Sequence, residues 1–115
     1  MLPKLVRDKI PGIIVKDGKI PICTFVDDVD VKPYLFNKIK EEVSELEYEC
    51  TGPEFDREKI LEEFADVFEA LERLGYLYGL DTEEVVLAIH KKREKCGQFK
   101  DNIILTDIIL GGEKK

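Results

Sequence analysis

Four carboxylates, Glu42, Glu45, Glu63 and Asp66, stand at spacings suited to metal chemistry. Glu41, Glu42 and Glu45 fall in one stretch and Glu63 and Asp66 in another. In each stretch a pair three residues apart, Glu42 with Glu45 and Glu63 with Asp66, shares one side of a helix if the chain is helical there. Two adjacent antiparallel helices carrying such pairs present four carboxylates to one inter-helix space. That is an oxygen-rich site for a hard cation, and Mg²⁺ in such a site keeps waters that substrate phosphates can replace. Protein cations are scarce nearby: residues 41–72 hold thirteen acids, with only Arg57 and Lys59 as bases. This block carries a charge of -11, against -7 for the whole chain.

Helical geometry advances about 100° per residue and places each acid against its apolar stripe. With Glu42 as zero, Leu35, Ile39, Val43, Leu46 and Cys50 fall at about +20° to +100°, which puts Glu42 on the rim of the stripe and Glu45 at about -60°. With Glu63 as zero, Ile60, Phe64, Val67, Leu71 and Leu74 occupy about +20° to +100°, and Ala70 and Leu77 lie at about -20° and -40°. Glu63 is therefore bracketed by apolar residues, and Asp66 shares the side of Ala70 and Leu77. A carboxylate in an apolar surround either binds a proton or needs a cation, because an unpaired buried charge is very costly. A solvated acidic face is the competing explanation for Glu42 and Glu45 taken alone, since acids three apart are common on exposed helices. The apolar arc around Glu63 and Asp66 argues against it.

The elements that would position these acids are readable. The spacing of Leu35, Ile39, Val43, Leu46 and Cys50 predicts a helix from about Val31 to Cys50, ended by Thr51-Gly52-Pro53. A second helix starts with Asp56 as N-cap and a Phe55/Ile60 hydrophobic staple, and runs to about Tyr78, before Gly79. A third starts at Asp81 and ends in Lys91, Lys92, Arg93 and Lys95 before Gly97. Upstream, Ile13–Lys16 and Lys19–Ile22 flank Asp17-Gly18, a favoured two-residue turn, and predict a small hairpin or extended arm over residues 1–28. Residues 31–99 form the helical core, and the apolar tail over 100–115 fits strand or short helix equally. The expected fold is all-α, a single domain over 1–115 with three to four main helices.

At 115 residues the chain has the length of one domain. Its 43% hydrophobic content excludes a disordered acidic tail, and its acidity argues against a binder that tracks nucleic-acid phosphates. A chain this short buries only about two-thirds of its unfolded surface, so a subunit interface is plausible. Cys23, Cys50 and Cys96 are isolated and form no zinc pattern. No apolar run has the length of a leader or a membrane span, and a cytoplasmic location is expected.

Taken in order, the motifs resemble those of the all-α nucleoside triphosphate pyrophosphohydrolases, which include MazG-like proteins and phosphoribosyl-ATP pyrophosphohydrolase. Glu41-Glu42-Val43-Ser44-Glu45 is similar to the family's E-E-x-x-E, and Glu63-Phe64-Ala65-Asp66 to its E-x-x-D, with seventeen residues between Glu45 and Glu63. Lys4–Pro11 resembles the start of a phosphoribosyl-ATP pyrophosphohydrolase-like branch. Lys92–Phe99 is similar to the family's Lys-x-x-Lys-Arg-Gly-Gly-Phe, with Cys96 in place of Arg and Gln98 in place of Gly. The resemblance spans Lys4 to Phe99.

It implies a MazG-like bundle assembled as a homodimer or homotetramer. The implied reaction is Mg²⁺-dependent hydrolysis between the α and β phosphates of a nucleoside triphosphate, giving a monophosphate and pyrophosphate, with Mn²⁺ as a substitute metal. Non-standard nucleotides or phosphoribosyl-ATP-like compounds are the expected substrates. Glu42, Glu45, Glu63 and Asp66 are the expected metal ligands, Glu41 and Glu42 the catalytic acids, and Lys92, Lys95, Arg7 and Lys9 the phosphate contacts. The basic residues also have a structural explanation, because cations stabilise a helix C-terminus whatever the function. His90 has no evident partner acid and fits an exposed helix position. A catalytically silent helical binding or regulatory module is the alternative function; it keeps the helices and needs no metal.

Overall fold

The structure is a computed structural model that describes residues 2–111. It contains four helices: α1 (Ile10–Lys16), α2 (Val31–Thr51), α3 (Arg57–Leu77) and α4 (Thr82–Cys96). No strand occurs among the described residues. The chain divides into two compact units, residues 1–82 and residues 83–115. No helix among the described residues is long and apolar enough to cross a membrane.

The first unit is organised by the pairing of α2 with α3. Only residues 52–56 connect them, and a connection this short makes consecutive packed helices antiparallel. Asp56 caps α3 as its type predicts: its backbone is extended, and its Oδ1 accepts from the amides of Glu58 and Lys59 at 3.1 and 3.3 Å. Phe55, the outer half of the expected staple, stays largely exposed. At the start of α2, the Asp27 carboxylate accepts from the amides of Val29 and Asp30 at 3.0 and 2.7 Å, which folds a turn that leads into the helix. Pro33 then sits in the first helical turn, where its missing N–H costs no helical hydrogen bond.

Gly79 terminates α3 with φ at +69°, donating to the Tyr76 carbonyl at 3.0 Å while Leu80 donates to Gly75 at 2.9 Å. These two bonds satisfy the last carbonyls of the helix in a Schellman arrangement. In the second unit Gly97, at φ +83°, ends α4 with one bond to the Arg93 carbonyl at 2.8 Å. From Ile103 to Gly111 the tail lies in neither helix nor strand; residues 112–115 of the tail lie outside the described residues.

The expected N-terminal hairpin is replaced by α1. A type I′ hairpin turn needs positive φ at both central residues, whereas Asp17 has φ -80° and only Gly18 is positive, at +79°. Gly18 instead donates to the Val15 carbonyl at 2.9 Å and Lys19 to the Ile14 carbonyl at 3.1 Å, again a Schellman stop. Pro11, placed in the first turn of α1, has the φ a helix requires. The Asp-Gly pair therefore closes a helix rather than joining two strands, and Ile20 and Ile22, expected on the second strand, remain exposed.

Candidate functional site

The seam between α2 and α3 is small and charged. Among the described residues, Leu35, Ala70 and Glu42 are the ones fully buried, with Glu42 only 6% exposed. Val31, Leu35, Lys38, Ile39, Glu42, Leu46 and Glu49 turn inward on α2, and Ile60, Glu63, Asp66, Val67, Ala70, Leu74 and Leu77 on α3. Both buried arcs are centred on a glutamate. Glu42 thus lies at the middle of the contact, not on its rim. The residues at the far positive side of each stripe, Val43 and Cys50 on α2 and Phe64 and Leu71 on α3, are exposed.

Glu42, Glu45 and Glu63 each offer a carboxylate oxygen to one point, and these atoms lie within 4.8 Å of one another. Glu42 Oε1 accepts from Lys38 Nζ at 3.1 Å, but Glu42 Oε2 is buried without a hydrogen-bond partner, as is Glu63 Oε2. An orphaned carboxylate oxygen out of water carries a desolvation penalty of about 1–3 kcal/mol or more. Two such atoms beside a third glutamate form a donor set that fits an oxygen-seeking divalent cation.

The electrostatics follow from this crowding. The Glu63 carboxyl is raised to about 7; burial contributes most, and the negative charges of Glu45, Asp66 and Glu42 and hydrogen bonding with Glu45 supply the rest. Burial also raises Glu42; Lys38 opposes the change, while Glu45 and Asp66 reinforce it. Glu41 behaves differently. Burial pushes it up, but Lys38 at 3.1 Å and Lys4 at 3.7 Å outweigh that and hold its carboxyl below the usual range. For Lys38, burial favours the neutral amine, and the two glutamates outweigh it, so the ammonium is held above its usual pKa.

Asp66 stands beside the trio without joining it. Its Oδ1 accepts from Arg7 Nη2 at 2.6 Å, and Arg7 Nη1 reaches Glu69 Oε1 at 3.5 Å. Arg7 belongs to the segment before α1, so this contact ties the N-terminal arm to α3. Arm, α2 and α3 line an open cavity of about 580 Å³ to which Arg7, Lys38 and Arg73 contribute cations and Asp8, Glu42, Asp66 and Glu69 carboxylates. Arg73 is itself oriented by Asp28 at 3.4 Å and by the Tyr76 ring, whose centroid is 5.0 Å away.

The structure therefore gathers Glu42, Glu45 and Glu63, sets Asp66 and Arg7 alongside, and turns Glu41 toward two lysines. Lys9 is exposed at the N-cap of α1, and Lys92 and Lys95 are exposed on the last turns of α4, in the second unit. Lys38 and Arg73 were not singled out from the sequence. Lys38 was within reach of that reading, because it precedes Glu41 and Glu42 by three and four residues and so shares their side of the helix. No family model matches the chain, and no curated protein or solved structure matches it.

Proposed function

We propose that this chain is a Mg²⁺-dependent nucleoside triphosphate pyrophosphohydrolase, with Mn²⁺ able to replace Mg²⁺. One observation carries the metal half of this proposal: Glu42 Oε2 and Glu63 Oε2 are buried, partnerless and part of a trio of converging glutamates. A hydrophobic neighbour satisfies neither atom, whereas a hard cation satisfies both. The choice of a triphosphate and of the α,β bond rests on the motif resemblance; the cavity next to the trio sets Arg7, Lys38 and Arg73 against Asp8, Glu42, Asp66 and Glu69, so it suits an anionic ligand only together with a bound cation.

In the reaction, the oxygen of a water forms a bond to phosphorus as the α,β anhydride P–O bond breaks, the water's proton passes to Glu41 or Glu42, and a monophosphate and pyrophosphate separate. Bound Mg²⁺ would offset phosphate charge and lower the pKa of a coordinated water. Glu42, Glu45 and Glu63 would hold the ion, with Asp66 joining them. Glu63, which titrates at about 7, would bind the ion in its ionised form and release the proton it carries below that pH. Glu41, kept ionised by Lys38 and Lys4, fixes the Lys38 ammonium against Glu42. Arg7, Lys9, Lys92 and Lys95 are the proposed phosphate contacts, of which Arg7 lines the cavity.

The proposal includes a homodimer or a larger homo-oligomer. On antiparallel helices, increasing helical angle turns toward the same side of the pair, so the exposed Phe36 and Val43 of α2 and Phe64, Phe68 and Leu71 of α3 form one apolar face. The arm occupies the opposite side, that of Glu41, Asp66 and Glu69. A seam with two fully buried apolar residues is too small to offset the ordering of two 21-residue helices at about 1–2 kcal/mol per residue, and a second copy docked face to face would enlarge it.

A pyrophosphate-release screen over standard, deoxy and damaged triphosphates and phosphoribosyl-ATP, with and without Mg²⁺, tests the activity. Turnover that needs Mg²⁺ and is lost in Glu63→Gln supports it. Metal and nucleotide binding without turnover favours the silent binding module instead.

A further inference from the structure

Two expected metal ligands already hold a cation: Glu42 pairs with Lys38 from its own helix, and Asp66 with Arg7, which comes from 59 residues away in sequence. Arg7 grips Asp66 with one guanidinium nitrogen and Glu69 with the other, in a charge-assisted fork of the kind that matches carboxylates and phosphates equally well. Arg7 precedes α1, its carbonyl accepting from the Ile10 amide at 3.0 Å, and its side chain is 52% exposed, which leaves room for the guanidinium to change partners. The cavity that Arg7 lines also receives Lys38 and Arg73. Lys38 and Arg73 are carried on α2 and α3, which leaves Arg7 as the one of the three that no helix carries.

We propose that Arg7 is an exchange residue: it neutralises Asp66 while the glutamate trio is metal-free, is displaced from Asp66 when a divalent cation takes that carboxylate, and then turns its guanidinium to the phosphate groups of the ligand in the adjoining cavity. The phosphate half rests on the pyrophosphohydrolase proposal; the competition for Asp66 rests only on the trio binding a cation. The exchange makes the binding ordered. A cation alone must displace Arg7, and an anion alone meets a cavity whose arginine is engaged, whereas the two together leave every charge paired. Arg7 acts here as a positioning residue, because it sets the availability of Asp66 before any chemistry takes place.

The test is a calorimetric titration of metal-free protein with Mn²⁺, followed by inorganic pyrophosphate at saturating Mn²⁺, for wild type, Arg7→Ala, Arg7→Lys, Asp66→Asn and the Arg7→Ala/Asp66→Asn double variant. Helical circular dichroism confirms that each is folded. Removing an ion pair of this exposure from the metal-free state tightens Mn²⁺ binding by about two- to fivefold in Arg7→Ala. In the Asp66→Asn background the same change shifts Mn²⁺ affinity less than twofold. Pyrophosphate binding moves the other way, weakening about tenfold in Arg7→Ala, with Arg7→Lys recovering part of it.

Unchanged or weaker Mn²⁺ binding in Arg7→Ala overturns the exchange, as does equal tightening in both backgrounds, which is the signature of a long-range field rather than competition for Asp66. Unchanged pyrophosphate binding overturns it too. A wild-type protein that binds no Mn²⁺ removes the metal proposal as well; a wild type that binds Mn²⁺ with the same affinity as Arg7→Ala removes the exchange alone.

Discussion

Replacing Glu63 by glutamine keeps the size of the side chain and removes the charge that the α2–α3 seam tolerates least. In the metal-free protein the Glu63 carboxyl titrates at about 7 instead of 4.5. The folded state therefore binds this proton more tightly than the unfolded state, so stability is fully present below about pH 4.5, falls as pH rises toward 7, and is flat above it. At 1.36 kcal/mol per pH unit that difference amounts to at most about 3 kcal/mol, and solvent screening of a half-buried group reduces it to about 1–2 kcal/mol. Glu63→Gln removes this penalty. Its metal-free form melts about 5–10 °C above wild type at pH 8, and the two converge at pH 4.5. Saturating Mg²⁺ reverses the order: at a hundredfold excess over Kd a bound ion adds about 2.7 kcal/mol to wild type and nothing to a variant that has lost the ion. Differential scanning fluorimetry from pH 4.5 to 8.5, with EDTA or with Mg²⁺, gives all four curves. A Glu63→Gln variant that tracks wild type across the pH range without metal contradicts the burial argument. One that keeps the Mg²⁺-dependent rise contradicts the assignment of Glu63 as a ligand.

Other perturbations separate the parts of the site. Lys38→Met leaves the buried Glu42 with no cation, and metal-free stability above pH 6 falls by about 2–4 kcal/mol in urea denaturation, with Mg²⁺ recovering part of the loss. Metal binding by wild type at pH 6 releases close to one proton per ion, and less than half a proton at pH 8, because Glu63 is already ionised there; calorimetry in two buffers of different ionisation enthalpy counts them. Asp56→Ala lowers stability by about 1 kcal/mol through loss of the α3 cap and leaves metal affinity unchanged. Phe68→Lys on the exposed apolar face lowers the molar mass measured by light scattering if that face joins two copies, and leaves it unchanged if it does not.

The long helices were legible because their signals are local. Val31, Asp56, Gly79 and Gly97 mark ends that the backbone hydrogen bonds reproduce to within a residue. The hairpin was misread because Asp-Gly suits both a two-residue hairpin turn and a Schellman stop, and only the φ of Asp17 distinguishes them. The inward face of α2 was displaced for a different reason. Val43 and Cys50 belong to an apolar arc next to the seam, and hydrophobic periodicity adds the two arcs into one stripe, which moved Glu42 from the centre to the rim. The pairing of Arg7 with Asp66 had no local signal, since 59 residues separate them. Lys38 had one, in its helical angle.

The most direct test of the account is a Mn²⁺ titration of metal-free wild type followed by electron paramagnetic resonance, with Glu42→Gln and Glu63→Gln in parallel. The account predicts saturable binding in wild type that falls at least tenfold in each variant while the helical circular dichroism is kept. Absence of saturable binding in wild type, or affinity undiminished in both variants, contradicts it.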